Sequence, residues 1–247
     1  MSDFLSSMEG QGLEAIGGED VKRPFLKIAQ TLSPECNENR PEYIEGLKPG
    51  QFFNSLTKFV YGKEIGVVVL DYESVWLEYR PNRGGFAGIH KPHSFPVTGD
   101  PFTTGLKAAN GNEITDSMVY YMLIENHMED GPVVFSVSST GLSHAKMWNS
   151  LIINTRLESG KRAPLFAGVW KLSTMLNSNQ SGDWYTIGQK SLTAIERVRF
   201  IEEDEWTQFI EPNRTMIMET KKSIDFSGVD AGGQRQLSAP SIDATKY

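Results

Sequence analysis

Three stretches of this sequence interleave aromatic with cationic side chains. Trp76, Tyr79, Arg80, Arg83, Phe86 and Lys91 form the first; Lys161, Arg162, Phe166, Trp170 and Lys171 the second; Trp184, Tyr185 and Lys190 the third. Flat rings beside fixed positive charges are what a single-stranded nucleic acid requires. Each base stacked on an aromatic ring contributes roughly 1–3 kcal/mol, and a basic groove follows the phosphates. Lys146 and Arg156 add cations to the same half of the chain. The competing reading is that these rings are core, since Trp and Tyr bury large areas by default. Phe166 and Trp170 share a strand parity and Lys171 has the opposite one, so Trp170 fits a core position as well as a groove.

Enzyme chemistry finds less support. Arg83-Gly84-Gly85-Phe86-Ala87-Gly88 is glycine-rich, but no helix is predicted after it, so a phosphate cradle lacks its scaffold. His90 and His93 are the close histidine pair, without the further ligands a metal needs. Cys36 lies in a polar loop with no histidine near it in sequence. Glu202-Glu203-Asp204-Glu205 is a charge run that reads as solvated surface or as a surface for replication or recombination partners. No catalytic residue, cofactor or metal is expected.

The elements that must position these residues are mainly strands. Residues 1–21 are polar and read as a flexible N-terminal arm. The Gln51–Thr57, Glu64–Asp71, Ser74–Arg80, Ser117–Ile124, Val133–Ser139, Leu165–Ser173 and Asp183–Ile187 segments read as strands. Residues 81–116 hold so many Gly and Pro that no regular element is expected there. Ser143 is placed to cap a helix running to about Arg156, with Met147, Trp148, Leu151 and Ile152 on one side. Residues 191–219 are expected to be helical in part, with an acidic helical segment over 201–220, and 221–247 to be a disordered tail. Three strands, a helix and two strands is the order of an OB-fold, so residues 22–200 are expected to form a β-barrel with one helix between its third and fourth strands.

Charge is uneven along the chain. The net charge is −7, yet residues 132–200 carry eight Lys and Arg against three acids, and 201–211 carry five acids and no Lys or Arg. The absence of a long apolar run predicts no membrane span. One cysteine and no signal-like N-terminus predict a reducing compartment, the cytoplasm.

Several phrases carry a resemblance. Among them are Gly46-Leu47-Lys48-Pro49-Gly50-Gln51-Phe52-Phe53-Asn54, Ala145-Lys146-Met147-Trp148-Asn149 and Pro164-Leu165-Phe166-Ala167-Gly168-Val169-Trp170-Lys171-Leu172. They resemble proteins encoded by tailed bacteriophages, the last two resemble the helix and following strand of phage single-stranded DNA-binding proteins with an OB-fold, and the resemblance covers about residues 22–200. It implies DNA binding in replication or recombination, in the host cytoplasm, without enzyme activity. Proteins of that kind often end in an acidic tail, whereas this chain ends Ser241-Ile242-Asp243-Ala244-Thr245-Lys246-Tyr247. Two other readings stay open: a non-enzymatic interaction module (virion component or host-factor inhibitor), and an enzyme or strand-annealing protein. Homo-oligomerisation also stays open.

Overall fold

The computed structural model describes residues 22–81, 85–100, 105–179, 182–188, 195–221 and 226. The arm expected at 1–21 and most of the tail expected from 221 lie outside the described residues. The fold is mainly β, with 43% of the described residues in strands.

Its spine is the 16-residue strand β4 (Glu64–Tyr79). Sequence reading divides this stretch at the polar Tyr72-Glu73. One strand results because β8 (Glu113–Ile124) pairs with it from Val67↔Ile124 to Tyr79↔Glu113. A register shift between Val69 and Asp71 takes up the bend, as a bulge does. β10 (Gly168–Asn179) takes the other edge of β4, from Val169↔Val68 to Ser173↔Glu64. β9 (Val133–Ser138) pairs with β8. β11 (Gly182–Ile187) and β12 (Ile195–Phe200) meet successive lengths of β10. A separate small sheet joins β1 (Leu26–Ile28), β2 (Phe52–Asn54) and β3 (Val60–Gly62).

Alternate residues of β4 and β8 enter two different cores. Val67, Val69, Tyr120 and Met122 face one, with Trp170, Leu172 and Phe52. Val68, Leu70, Tyr121 and Leu123 face the other, with Val169. A strand covered on both faces carries no polar alternation, which is why Val67–Leu70 and Val119–Leu123 read as unbroken apolar runs. The first core is closed by helix α1 (Leu142–Asn154), through Ala145, Trp148 and Ile152. The second is closed by Ile210 and Ile217. These belong to the helix α2, formed by Glu203–Glu205, a π-helical turn Trp206–Ile210, and Glu211–Thr220.

Four expectations are corrected. Residues 81–116 do contain strands, β5 (Phe86–His90), β6 (Val97–Thr98) and β7 (Leu106–Ala108), besides the start of β8. Cross-strand partners supply there what local propensity withholds: β5 pairs with the end of β4 and β7 with β8. Leu165–Ala167 is a 3-10 turn, so the strand expected from Leu165 begins at Gly168. Ser143 does not cap α1. The helix is entered directly from the 3-10 turn Ser139–Gly141, with Gly141 at the cap position and no side-chain capping bond.

The fourth concerns closure. Among the described residues no ladder joins β9 to β11, so the sheet is open and no closed barrel forms. Residues 24–30 tie the two edges instead. Val134 N–H donates to the Pro24 carbonyl at 2.9 Å. At the other end the Gln30 side-chain amide copies a strand partner: it accepts from Tyr185 N–H at 2.8 Å and donates to the Tyr185 carbonyl at 2.9 Å.

Candidate nucleic-acid interface

The aromatic side chains expected to stack on bases divide by burial. Trp76, Tyr79 and Trp170 are only 3%, 4% and 2% exposed. Trp76 packs against Ala108 and Ile114 under β7, with Phe95 at 5.5 Å ring to ring. Tyr79 and Phe86 lie edge to face, and Phe226 covers Phe86. Trp170 faces Trp148 at 6.4 Å within the first core. Phe166 is taken up by Trp206 of α2, ring to ring at 4.7 Å, with the Arg214 guanidinium above it. A base cannot reach a ring already covered, so the stacking role expected of Trp76, Tyr79 and Trp170 is withdrawn. Trp184 and Tyr185 on β11 are half-buried, with the Tyr185 ring laid against Gly50.

The cations fare differently. Arg80, Lys91, Lys146, Arg156, Lys161 and Arg162 are exposed, while Arg83 and Lys190 lie outside the described residues. Lys171 is bound to Glu196 at 2.6 Å. Four of the exposed cations come from one contiguous feature, α1 and the loop after it. Thr155–Ala163 is a hairpin held by Leu157 N–H to the Lys161 carbonyl at 2.9 Å and Ala163 N–H to the Thr155 carbonyl at 3.0 Å. Arg156 and Arg162 stand directly opposite each other across it. Like charges so placed repel. Arg156 turns one nitrogen to the Ile153 carbonyl at 2.9 Å, where the end of α1 leaves an acceptor free. Neither arginine, nor Lys161 or Lys146, forms an ion pair among the described residues. Ile153, 52% exposed, and Leu157, 37% exposed, stand beside them.

The acidic run is partly committed to structure. Glu202 and Glu205 form a capping box at the start of α2. Glu205 is also gripped by Arg199, Nη1 and Nη2 lying 2.7 and 2.6 Å from its carboxylate. That hydrogen bonding holds the Glu205 carboxyl below the usual range and pushes the Arg199 guanidinium up. Glu203 and Asp204 remain exposed.

One groove takes only Lys171 from the stretches singled out in the sequence. Its volume is about 410 Å3, and Phe59, Tyr61, Glu64, Glu125, His127, Lys171 and Val198 line it. Phe59, Tyr61 and His127 form a ring triangle with centroids 4.6–5.5 Å apart. Gly66 forms part of the floor: a Cβ there would fall 2.0 Å from Glu125 Oε2, so only glycine lets that side chain lie across β4 and reach Arg199 at 3.0 Å. The alternation Phe59-Val60-Tyr61 between Lys58 and Lys63 has the same aromatic–cationic character as the three stretches above, and is the signal that could have marked it. His127 joins only through the tertiary fold.

Among the described residues no three His, Cys, Asp or Glu side chains cluster to hold a metal ion, and no helix is long and apolar enough to cross a membrane. Burial pushes the half-buried Cys36 thiol up, away from the reactive thiolate. A family model described as Pam3 phage gp34-like protein matches residues 1–204. No curated protein and no solved structure matches the chain.

Proposed function

The chain belongs to the Pam3 phage gp34-like family and is a phage protein, and on that premise we propose that it binds single-stranded DNA, without catalysis, during phage replication or recombination in the host cytoplasm. The observation that carries this reading is the Thr155–Ala163 hairpin. Arg156 and Arg162 are opposed there at some electrostatic cost, with Lys161 and Lys146 nearby and no ion pair to any of them among the described residues. Three cations against the single acid Glu158 in one hairpin, none of them in an ion pair among the described residues, are what a phosphate backbone neutralises.

The strand order supports it in outline. β4, β8, β9, α1, β10 and β11 come in that order along the chain, with β5, β6 and β7 inserted between β4 and β8, and the ladders run β9-β8-β4-β10-β11. That is the connectivity of an OB-fold opened between its third and fifth strands. Stacking falls to Trp184 and Tyr185, half-buried members of the original set, since Phe86 and Phe166 are half-buried too but packed against Phe226 and Trp206. The rival reading, a protein–protein interaction module, draws on the burial of Trp76, Tyr79 and Trp170, which removes three of the expected stacking platforms.

Intrinsic tryptophan fluorescence titrated with oligo-dT tests the proposal. Saturable quenching that weakens as salt rises is expected. A folded protein with no response at low salt would sink DNA binding and favour the interaction module.

A further inference from the structure

The groove beside β3 has a chemistry opposite to that of the hairpin. Phe59 is 45% exposed and Val198, also on its lining, 57% exposed. These apolar groups sit among charges that do not cancel. The lysine of the lining, Lys171, is held by Glu196 at 2.6 Å. Arg199 is shared between Glu125 and Glu205. Asp130 lies 3.6 Å from His127. Glu64 accepts the Ser173 hydroxyl at 2.8 Å and forms no ion pair among the described residues. The lining's own carboxylates, Glu64 and Glu125, thus outnumber its one permanent cation, Lys171, while Lys58 and Lys63 flank the ring segment along the chain.

Aromatic faces attract cations through the ring quadrupole, and more strongly where water is partly excluded. A carboxylate beside the ring adds a Coulombic term of the same sign. A polyanion would meet repulsion here, and a neutral apolar ligand would gain nothing from Glu64. We infer that the groove formed by β3, β12 and the Glu125–Asp130 turn is a binding site for an organic cation, the guanidinium or ammonium group of an arginine or lysine side chain on a partner protein. Phe59 and Tyr61 supply the ring faces, and Glu64, within the field of Lys171 but in no ion pair among the described residues, the counter-charge. The site shares no residue with the Thr155–Ala163 hairpin, so it stands whether or not the chain binds DNA.

The test is a titration of the full-length chain, followed by NMR on the ring resonances of Phe59, Tyr61 and His127. The probes are capped Gly-Arg-Gly, its citrulline counterpart, capped Gly-Glu-Gly and oligo-dT. Saturable shifts with the arginine peptide are expected, with much smaller ones from citrulline, which keeps the shape and loses the charge. Phe59→Ala and Glu64→Gln should each weaken arginine binding roughly fivefold to tenfold. Glu64→Gln is a conservative change at an exposed position, so it carries the test alone if Phe59→Ala perturbs the small sheet. Equal shifts from citrulline, larger shifts from Gly-Glu-Gly or oligo-dT, no shift with arginine, or a Glu64→Gln variant of unchanged affinity would each overturn the inference.

Discussion

Glu78 carries its carboxylate into the far end of the sheet, on a residue only 8% exposed. Asn110 and Asn112 donate to Oε1 at 2.9 and 2.6 Å, and His90 Nε2 lies 2.7 Å from Oε2. The bonds from Asn110 and Asn112, with a smaller contribution from His90, hold the carboxyl below its usual range against the opposing effect of burial. A carboxyl whose proton affinity falls on folding contributes stability above its unfolded value, and that contribution disappears as pH falls through the lower folded value. Glu78→Gln keeps an acceptor and removes the titration. Its urea midpoint should therefore lie below that of the wild type at about pH 6 and approach it towards about pH 3. A gap that stays constant with pH would show that Glu78 is not the linked group. The tryptophans allow a second contrast. Trp170→Ala opens a cavity in the first core and should cost about 3–5 kcal/mol. Trp184→Ala on the half-buried edge should cost about 1 kcal/mol by the same denaturation, while removing much of the quenching by oligo-dT. Equal destabilisation by both would place Trp184 in the core and end its assignment to stacking.

At the scale of elements, most strands announce themselves locally. Ser117–Ile124 and Val133–Ser139 are apolar runs bounded by turn residues, and both are found as β8 and β9 within a few residues of the expected bounds. The continuity of β4 through Asp71 and Glu73 does not show in the pattern, because what satisfies those carboxylates is Lys221, 2.8 and 2.6 Å away in space and far along the chain. The same contact anchors the end of α2. This helix is polar over most of its surface and holds the second core with Ile210 and Ile217, helped by half-buried Trp206 and Phe209. Ile217→Ala should cost about 2–5 kcal/mol in urea unfolding. Amide exchange should show α2 opening ahead of β8. Protection of α2 that outlasts that of β8 would contradict its place as a cover laid over a finished sheet.

Over the whole molecule, charge is separated although the total is negative. The hairpin after α1 is cationic, and the groove beside β3 is lined by Glu64 and Glu125 against one lysine, Lys171. If the hairpin meets the phosphates of a single strand, replacing Arg156, Lys161 and Arg162 together by Ala should lower the slope of log affinity against log salt by about 2, at about 0.7 for each lost phosphate contact. The melting temperature should stay near that of the wild type, because all three side chains are exposed. An unchanged slope would move the phosphate path elsewhere on the surface.

The sequence by itself determined the β-rich class, the position of α1 between β9 and β10, the exposure of Lys146, Lys161 and Arg162, and the phage character that its phrases resemble. These follow from local pattern: apolar runs, turn residues and charge carry their meaning within a few positions. Only the tertiary structure decided that the sheet stays open among the described residues, that residues 24–30 tie its two edges, that Trp76 and Trp170 are core, and that Phe59, Tyr61 and His127 meet at one groove. A ring is core or platform according to which distant segment covers it. For Phe166 that segment is α2, some 40 residues on, and no local pattern encodes such a contact.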